Sequence, residues 1–387
     1  MNSIFQVTHI HLVGIKGVAM TSLAQCLLDL GKTVTGSDVE DEFVTTTMLS
    51  KIGVQVYSGF SPEHIHESTE LVIFSGAHKG SQNPEVLAAI AKHIPMLSHA
   101  DALGVLTEGK KCVAVCGVGG KSSVSAMITW ILACAGKKPS FSVGVGNVLN
   151  LGKTGRYEKD SSYFVVEADE YVKDPGHDNT PRFMTLNPEV IVCTNIVYDH
   201  PDVYATFEDT KNAYRSFFAK LPASGSLMYN GDDEVLSGMA EHIQTQRVSV
   251  SKKDGAMFMI SNYRASLGKT EADIVYKEKT YTLTLQIPGE FNVMNATYAV
   301  AAAQACGVDM ETSLRALEQF QGTMRRFENK GVKQGVQYYD DYAHHPTEIQ
   351  ATLKALREWY PQAKVYAVFQ PHTYSRTKAL LKEFSMS

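Results

Sequence analysis

The chain has 387 residues, 44% of them hydrophobic and 20% charged, which fits a soluble globular protein of two or three domains. Its formal net charge of −5 supplies no basic excess to neutralise phosphates. That argues against a nucleic-acid or anionic-membrane partner and leaves small anionic substrates open to a local cluster of positive groups. Six cysteines without CxxC spacing, no apolar run near the roughly 18 residues that span a bilayer, and an N-terminus without a basic then apolar region point to a reducing, cytoplasmic setting.

In chain order, residues 8–13 (THIHLV) read as a strand. Gly14 and Gly17 follow, then a helical stretch over 18–30 closed by Gly31. Residues 33–35 begin a second strand leading to Gly36-Ser37-Asp38, and 54–57 and 71–75 give further short strands. This is the βαβ rhythm of a doubly wound sheet. A second start comes at Lys111, with an apolar strand over 112–116, a glycine-rich turn over 117–121 and a helix over 122–135 closed by Gly136. Buried-type strands are expected at 163–166 and 190–194, a β-hairpin around 274–287, and a helix over 292–306 with Gly307 as its C-cap. A third start follows Arg325-Arg326-Phe327, with strands expected at 336–339 and 364–369 and helices at 346–358 and 375–384. A domain of about 65 residues on that plan has few strands and is marginal alone, so the third domain reads as cut short.

Gly117-Val118-Gly119-Gly120-Lys121-Ser122-Ser123 lies between an apolar strand and a helix. Glycines there let successive N–H groups face one anion, and the helix N-terminus adds positive character. Lys121 can reach phosphates and the Ser122 hydroxyl can sit on Mg²⁺. The spacing departs from GxxxxGK[ST], because Val115 stands six before Lys121; the competing reading is a tight turn with a surface lysine. The strand 163–166 ends in Glu167-Ala168-Asp169-Glu170, and 190–194 leads to Asn195 and then Asp199-His200. Ligands of doubly wound sheets bind outside the carboxyl ends of strands, so the loop, Glu167 and His200 can share one crevice suited to a divalent cation. Singly, Glu167 reads as a helix-start acid and His200 as a loop histidine.

Taken together, the motifs resemble the Mur ligases of peptidoglycan synthesis, and within them the MurC branch. The resemblance runs through His11-Leu12-Val13-Gly14-Ile15-Lys16-Gly17-Val18-Ala19-Met20, Gly36-Ser37-Asp38, Ser75-Gly76-Ala77, Asn83-Pro84-Glu85, the loop and acids above, and Asn230-Gly231-Asp232-Asp233. It continues through Pro288-Gly289-Glu290-Phe291-Asn292-Val293-Met294-Asn295, Arg325-Arg326-Phe327-Glu328, the segment from Asp340 to Glu348, and that from Phe369 to Thr377.

The resemblance implies an α/β protein of three-domain Mur ligase architecture. A Rossmann-like UDP-sugar domain would span 1–107, a P-loop-type ATPase domain 108–321, and a partial Rossmann-like amino-acid domain 322–387. It implies ATP and Mg²⁺, with UDP-N-acetylmuramate and L-alanine joined through an acyl phosphate. Gly117, Gly119, Gly120, Lys121, Ser122, Ser123, Asn292, Asn295, Arg326 and Asp341 would hold the nucleotide, and Ser122, Glu167 and His200 the metal. Gly14, Gly17, Met20, Ser37, Asp38 and Ser75 would hold the UDP-sugar. His344, His345, His372 and Arg376 would handle alanine and the transferring phosphoryl group, with His344 or His345 as general base and Arg376 pairing the alanine carboxylate. Four departures stand out: Val118-Gly119 where the family has Thr-His, Phe291 where histidine is common, an insertion-like stretch over 172–182, and a chain that stops short of family members. The alternatives are a ligase attaching a whole peptide to the same sugar and a UDP-sugar binder without catalysis. A Rossmann dehydrogenase fails on glycine spacing and on the second nucleotide loop.

Overall fold

The computed structural model describes residues 4–371, 377–378 and 380–387. The N-terminal sheet has five parallel strands in the order Gln55–Ser58, Thr33–Asp38, His9–Val13, Leu71–Phe74, Met96–Ser98. His9–Val13 lies in the middle, pairing Val13 with Ser37 on one side and with Phe74 on the other. The chain therefore builds outward to one flank, then crosses to the other, and Gly14 sits at the switch point where such sheets bind ligands. The run Leu71–Phe74 is buried along its whole length, as a parallel strand covered on both faces must be. Helices Val18–Asp29, Pro84–Ala91 and His99–Thr107 cover the sheet, the latter two capped by the side chains of Asn83 and Ser98.

The central sheet has ten strands, in the order Lys279–Leu285, Lys269–Tyr276, Phe258–Ser266, Gln246–Ser251, Ser226–Asn230, Pro188–Cys193, Lys111–Cys116, Tyr163–Glu167, Ser140–Ser142, Gly155–Arg156. Its interior is parallel and its two ends antiparallel. The expected hairpin is present, turning at Lys277 and Glu278, both with positive φ, the twist that two-residue hairpin turns require. Helices Lys121–Cys134 and Glu290–Ala305 pack together over one face. Alanines at 296, 299, 301, 302 and 303, all buried, let the second of these helices approach closely.

The insertion-like stretch forms a small hairpin of its own, Val172–Asp174 with Asp178–Pro181. It docks on the N-terminal domain, where Ser81 N–H donates to Asp174 Oδ2 at 3.2 Å and Lys173 Nζ lies 3.2 Å from Asp101 Oδ1.

The C-terminal part contributes an antiparallel pair, Glu328–Lys333 with Val336–Asp340, and the helix Pro346–Trp359. That helix docks on the antiparallel end of the central sheet. Tyr263 OH donates to Glu358 Oε2 at 2.5 Å, and Trp359 Nε1 donates to Thr270 Oγ1 at 3.3 Å. The strand expected at 364–369 is irregular chain. Among the described residues no strand pairs with it, and Tyr366 and Val368 are 75% and 99% exposed, so little burial offsets the entropy of an extended, unpaired backbone. The final described helix is Leu381–Met386; the expected helix at 375–384 falls partly outside the described residues.

Candidate active site

Strand Lys111–Cys116 lies between Pro188–Cys193 and Tyr163–Glu167, so Gly117, Thr194 and Glu167 emerge side by side at one edge. The chain turns at Gly117 (φ +116°) and Gly120 (φ +85°). A β-carbon at Gly117 would stand 2.2 Å from Thr194 Oγ1, and one at Gly120 would stand 2.6 Å from Asn295 Oδ1. Both positions therefore need glycine for backbone and for space. The N–H groups of Val118 and Gly119 donate to Asn195 Oδ1 at 2.8 and 3.1 Å, and the Thr194 hydroxyl donates to Gly119 O at 2.6 Å.

The loop opens on a cavity of about 440 Å³. Gly119, Gly120, Ser122, Ser123, Asn292, Asn295, Arg326 and Asp341, all expected to hold nucleotide, line it together. Ile260, Ile287, Met294 and Phe320 give it an apolar end, with Phe291 on its wall. A flat base suits the apolar end and a polyanion suits the loop. Asn292 donates to Pro288 O at 2.8 Å, and Asn295 Nδ2 donates to Asn292 Oδ1 at 3.3 Å, so the two carboxamides are oriented as a pair. Arg326 lies between Arg325 (φ +57°) and Phe327 (φ +50°), a strained backbone for bulky residues. Asp341 braces this turn: its oxygens accept from Phe327 N at 2.8 Å and Ala343 N at 2.7 Å. Burial still pushes its pKa above the ordinary value, against those N–H groups and Arg326.

A second cavity, of about 260 Å³, lies on the other side of the loop against the N-terminal domain. Lys121 lines this cavity with Glu167, Asp169 and Arg182. Lys121 Nζ is 3.1 Å from Glu170 Oε2. Burial acts to lower the Lys121 pKa, and Glu170 and Asp169 outweigh it, raising it above its ordinary value. Burial likewise acts to raise Glu170, but Lys121 and His200 hold it below the ordinary range. Asp169 is lowered in the same contest between burial and Arg182, which is 2.9 Å away. Glu167 is raised by burial, although it accepts from Gly144 N at 2.6 Å and from the Ser122 hydroxyl.

The expected metal set therefore divides. Ser122 and Glu167 meet, while His200 sits 3.5 Å from Glu170 and 3.7 Å from Asp199, with its pKa raised because Glu170 outweighs burial. Among the described residues no group of three or more His, Cys, Asp or Glu is arranged to hold a metal. Glu170 has no expected role from the sequence, because spacing alone does not tell which acid of Glu167-Ala168-Asp169-Glu170 turns inward. Asn195, also without an assigned role, gave no local signal of its bond to the loop 77 residues away.

At the N-terminal sheet Gly14 (φ +82°) abuts Ser75, whose Cβ would lie 3.1 Å from a β-carbon at 14. Gly17 caps the following helix through its backbone. Asp38 accepts from Lys16 N at 2.7 Å and lies 3.4 Å from His78 Nε2. Gly14, Ser75 and Asp38 thus gather at the switch point. Two of the expected residues turn their side chains to the interior. Met20 is 2% exposed and packs with Leu23, Ala24 and Leu27, because helical spacing puts it on the face toward the sheet. Ser37 is fully buried and its hydroxyl donates to Glu85, so its side chain serves the interior. Buried Glu85 also contacts His11 at 3.3 Å and His64 at 2.6 Å.

In the C-terminal part His344 Nδ1 donates to Tyr342 O at 2.9 Å and lies 3.6 Å from Glu348 Oε2. His345 caps Pro346–Trp359, its Nδ1 accepting from Thr347 N at 3.4 Å, which holds the ring at a helix start. Neither histidine lines the two cavities. His372 and Arg376 lie outside the described residues.

Three family models match this chain. One for the Mur ligase family catalytic domain matches 9–111, one for the Mur ligase middle domain matches 115–303, and one for the Mur ligase glutamate ligase domain matches 325–387. A UDP-N-acetylmuramate–L-alanine ligase from Caldicellulosiruptor bescii is 38% identical over 97% of this chain and 80% of its own length. The ligase of the same name from Acetivibrio thermocellus is 36% identical over 97% and 78%. Among solved structures, the UDP-N-acetylmuramate-alanine ligase of Thermotoga maritima superposes with a TM-score of 0.81 at 27% identity, covering 96% of this chain and 83% of that one. A murein peptide ligase from Psychrobacter arcticus superposes with 0.74 at 27% identity, covering 95% and 79%.

Proposed function

The chain belongs to the Mur ligase family, and from that premise we propose that it joins L-alanine to UDP-N-acetylmuramate at the expense of ATP, in peptidoglycan precursor synthesis. The observation that carries the reading is the 440 Å³ cavity, in which the phosphate-type loop, the Asn292/Asn295 pair and Arg326 meet. Curated relatives at 36–38% identity carry the alanine-ligase name, which puts the peptide-attaching reading second. The same residues, kept in place, argue against a binder without catalysis. No helix among the described residues is long and apolar enough to cross a membrane, and six unpaired thiols support a cytoplasmic setting.

The reaction couples two displacements. An oxygen of the lactyl carboxylate attacks the terminal phosphorus of ATP, giving an acyl phosphate and ADP. The alanine amine then attacks the acyl carbon and releases inorganic phosphate. Most of the protein's work is positioning and charge neutralisation. Asn292 and Asn295 orient the base, and Arg326 and the uncapped N–H groups at the start of helix Lys121–Cys134 face the phosphates. Lys121, held between Glu170 and the second cavity, stands where the carboxylate and the transferring phosphoryl group meet. Ser122 and Glu167 suit Mg²⁺, which takes one or two protein oxygens and completes its shell with phosphate and water. When bound, such an ion supplies charge neutralisation of the phosphates. His200, through Glu170, positions Lys121. His344 is the base we assign to the amine, being the histidine of the pair that does not cap the helix.

The test is inorganic phosphate release with ATP, Mg²⁺, UDP-N-acetylmuramate and L-alanine, each omitted in turn. We expect release to need all four. Release that persists without L-alanine, or that a tripeptide supports better than L-alanine, would overturn the reading.

A further inference from the structure

We propose that His99 recognises the uncharged sugar ring of the UDP-linked substrate, and so acts as a specificity-determining residue of the ligation. The proposal rests on the functional reading above.

The cavity of about 260 Å³ is lined both by Val18 and Ala19, which directly follow the loop of Gly14 and Gly17, and by Lys121 and Glu167. A UDP-sugar with its diphosphate at that loop and its carboxylate at Lys121 has to place its sugar in this cavity. His99 lines the same cavity, and its Nε2 is buried without a hydrogen-bond partner. Buried polar atoms without partners are uncommon, and each calls for an explanation; a ligand group that completes the bond is one. The imidazole is uncharged: burial and the nearby Arg182 push its pKa down to about 4, against weaker pulls from Ala19 and Asp169. A neutral ring nitrogen suits a hydroxyl or acetamido group better than a diphosphate or carboxylate.

The ring is also held at a fixed place. Its helix, His99–Thr107, is capped by Ser98 and tied to the central domain at three points. The Thr185 hydroxyl donates to Ala100 O at 2.8 Å, Lys173 meets Asp101 at 3.2 Å, and a β-carbon at Gly104 would stand 2.8 Å from Thr185 O.

His99→Leu removes the polar atom at similar bulk, and His99→Gln keeps one. For His99→Leu we expect KM for UDP-N-acetylmuramate to rise roughly fivefold to tenfold, the worth of one neutral hydrogen bond. We expect kcat, KM for ATP and binding of UDP alone to stay within about twofold, which a general structural disturbance would not allow. His99→Gln should recover part of the loss, and should His99→Leu not fold, His99→Gln and His99→Asn are compared instead. Unchanged KM in these variants, or equal loss of affinity for UDP and for UDP-N-acetylmuramate, overturns the proposal. A wild-type enzyme that works while the variants match it sinks this proposal alone. A wild-type chain that releases no phosphate with UDP-N-acetylmuramate and L-alanine sinks the functional reading, and this proposal with it.

Discussion

Gly120 concentrates two demands on a single residue, a φ of +85° and an approach to Asn295 that leaves no room for a methyl group. Gly120→Ala should therefore cost about 1–3 kcal/mol of stability, read from urea unfolding, and raise KM for ATP more than KM for UDP-N-acetylmuramate. Equal effects on both substrates would argue against its place at the nucleotide end. Glu85 makes a prediction of a different kind. Burial acts to raise its pKa, but the bonds from His11, Ser37 and His64 hold it below the ordinary value. A carboxyl whose folded pKa is depressed contributes stability that is fully present above the unfolded value of about 4.3 and is lost as pH falls toward the folded one. Wild type should thus lose stability on acidification below about pH 5, and Glu85→Gln should flatten that limb of the urea midpoint against pH. An acid limb of the same depth in both proteins would rule Glu85 out as its source.

Single residues also mark the limit of what the sequence made legible. Lys121, Ser122 and Gly120 could be placed because a strand, a glycine turn and a helix signal one another locally. Glu170 and Asn195 could not, because their work depends on partners 49 and 77 positions away in sequence. Met20 and Ser37 stood in the right motifs with their side chains turned inward, a matter of helix phase and strand pleat that motif reading passes over.

At the level of elements, the small hairpin of Val172–Asp174 and Asp178–Pro181 is one of the pieces that join the first domain to the second, beside bonds such as Ser22 to Ser142 and Gln25 to Thr154. A β-carbon at Gly80 (φ +50°) would lie 1.8 Å from Asp174 Oδ1, so chain and carboxylate are in direct contact. Gly80→Ala should destabilise by about 1–3 kcal/mol, and the double variant with Asp174→Ala should recover part of that loss, a coupling measurable by a double-mutant cycle. Strictly additive effects would mean that the contact carries no energy. The elements also show which sequence signals travel well. The hairpin at 274–287 was legible from its period of two, and the helix beginning near Asn292 from the Gly307 that closes it. The expected strand at 364–369 carried the right residues, yet a strand is completed by its neighbour, and the residues beside it decide whether it forms.

For the molecule as a whole, the 440 Å³ cavity is assembled from residues as distant as Gly119 and Thr352, so its walls belong to separately built parts of the chain. The three-part architecture and parallel sheets could be read from the βαβ rhythm; the mutual seating of the parts could not, because it rests on side-chain pairs such as Tyr263–Glu358 and Trp359–Thr270. If ATP binds as proposed, that seating makes it a clamp. A ligand touching both the loop and helix Pro346–Trp359 binds the assembled form more tightly than the parted one, and linkage requires the converse, that parting the two weakens the ligand by the same factor. Amide hydrogens of that helix should then exchange more slowly once ATP is present, and Tyr263→Phe, which loses the bond to Glu358, should surrender part of the affinity for ATP without touching a single atom of it.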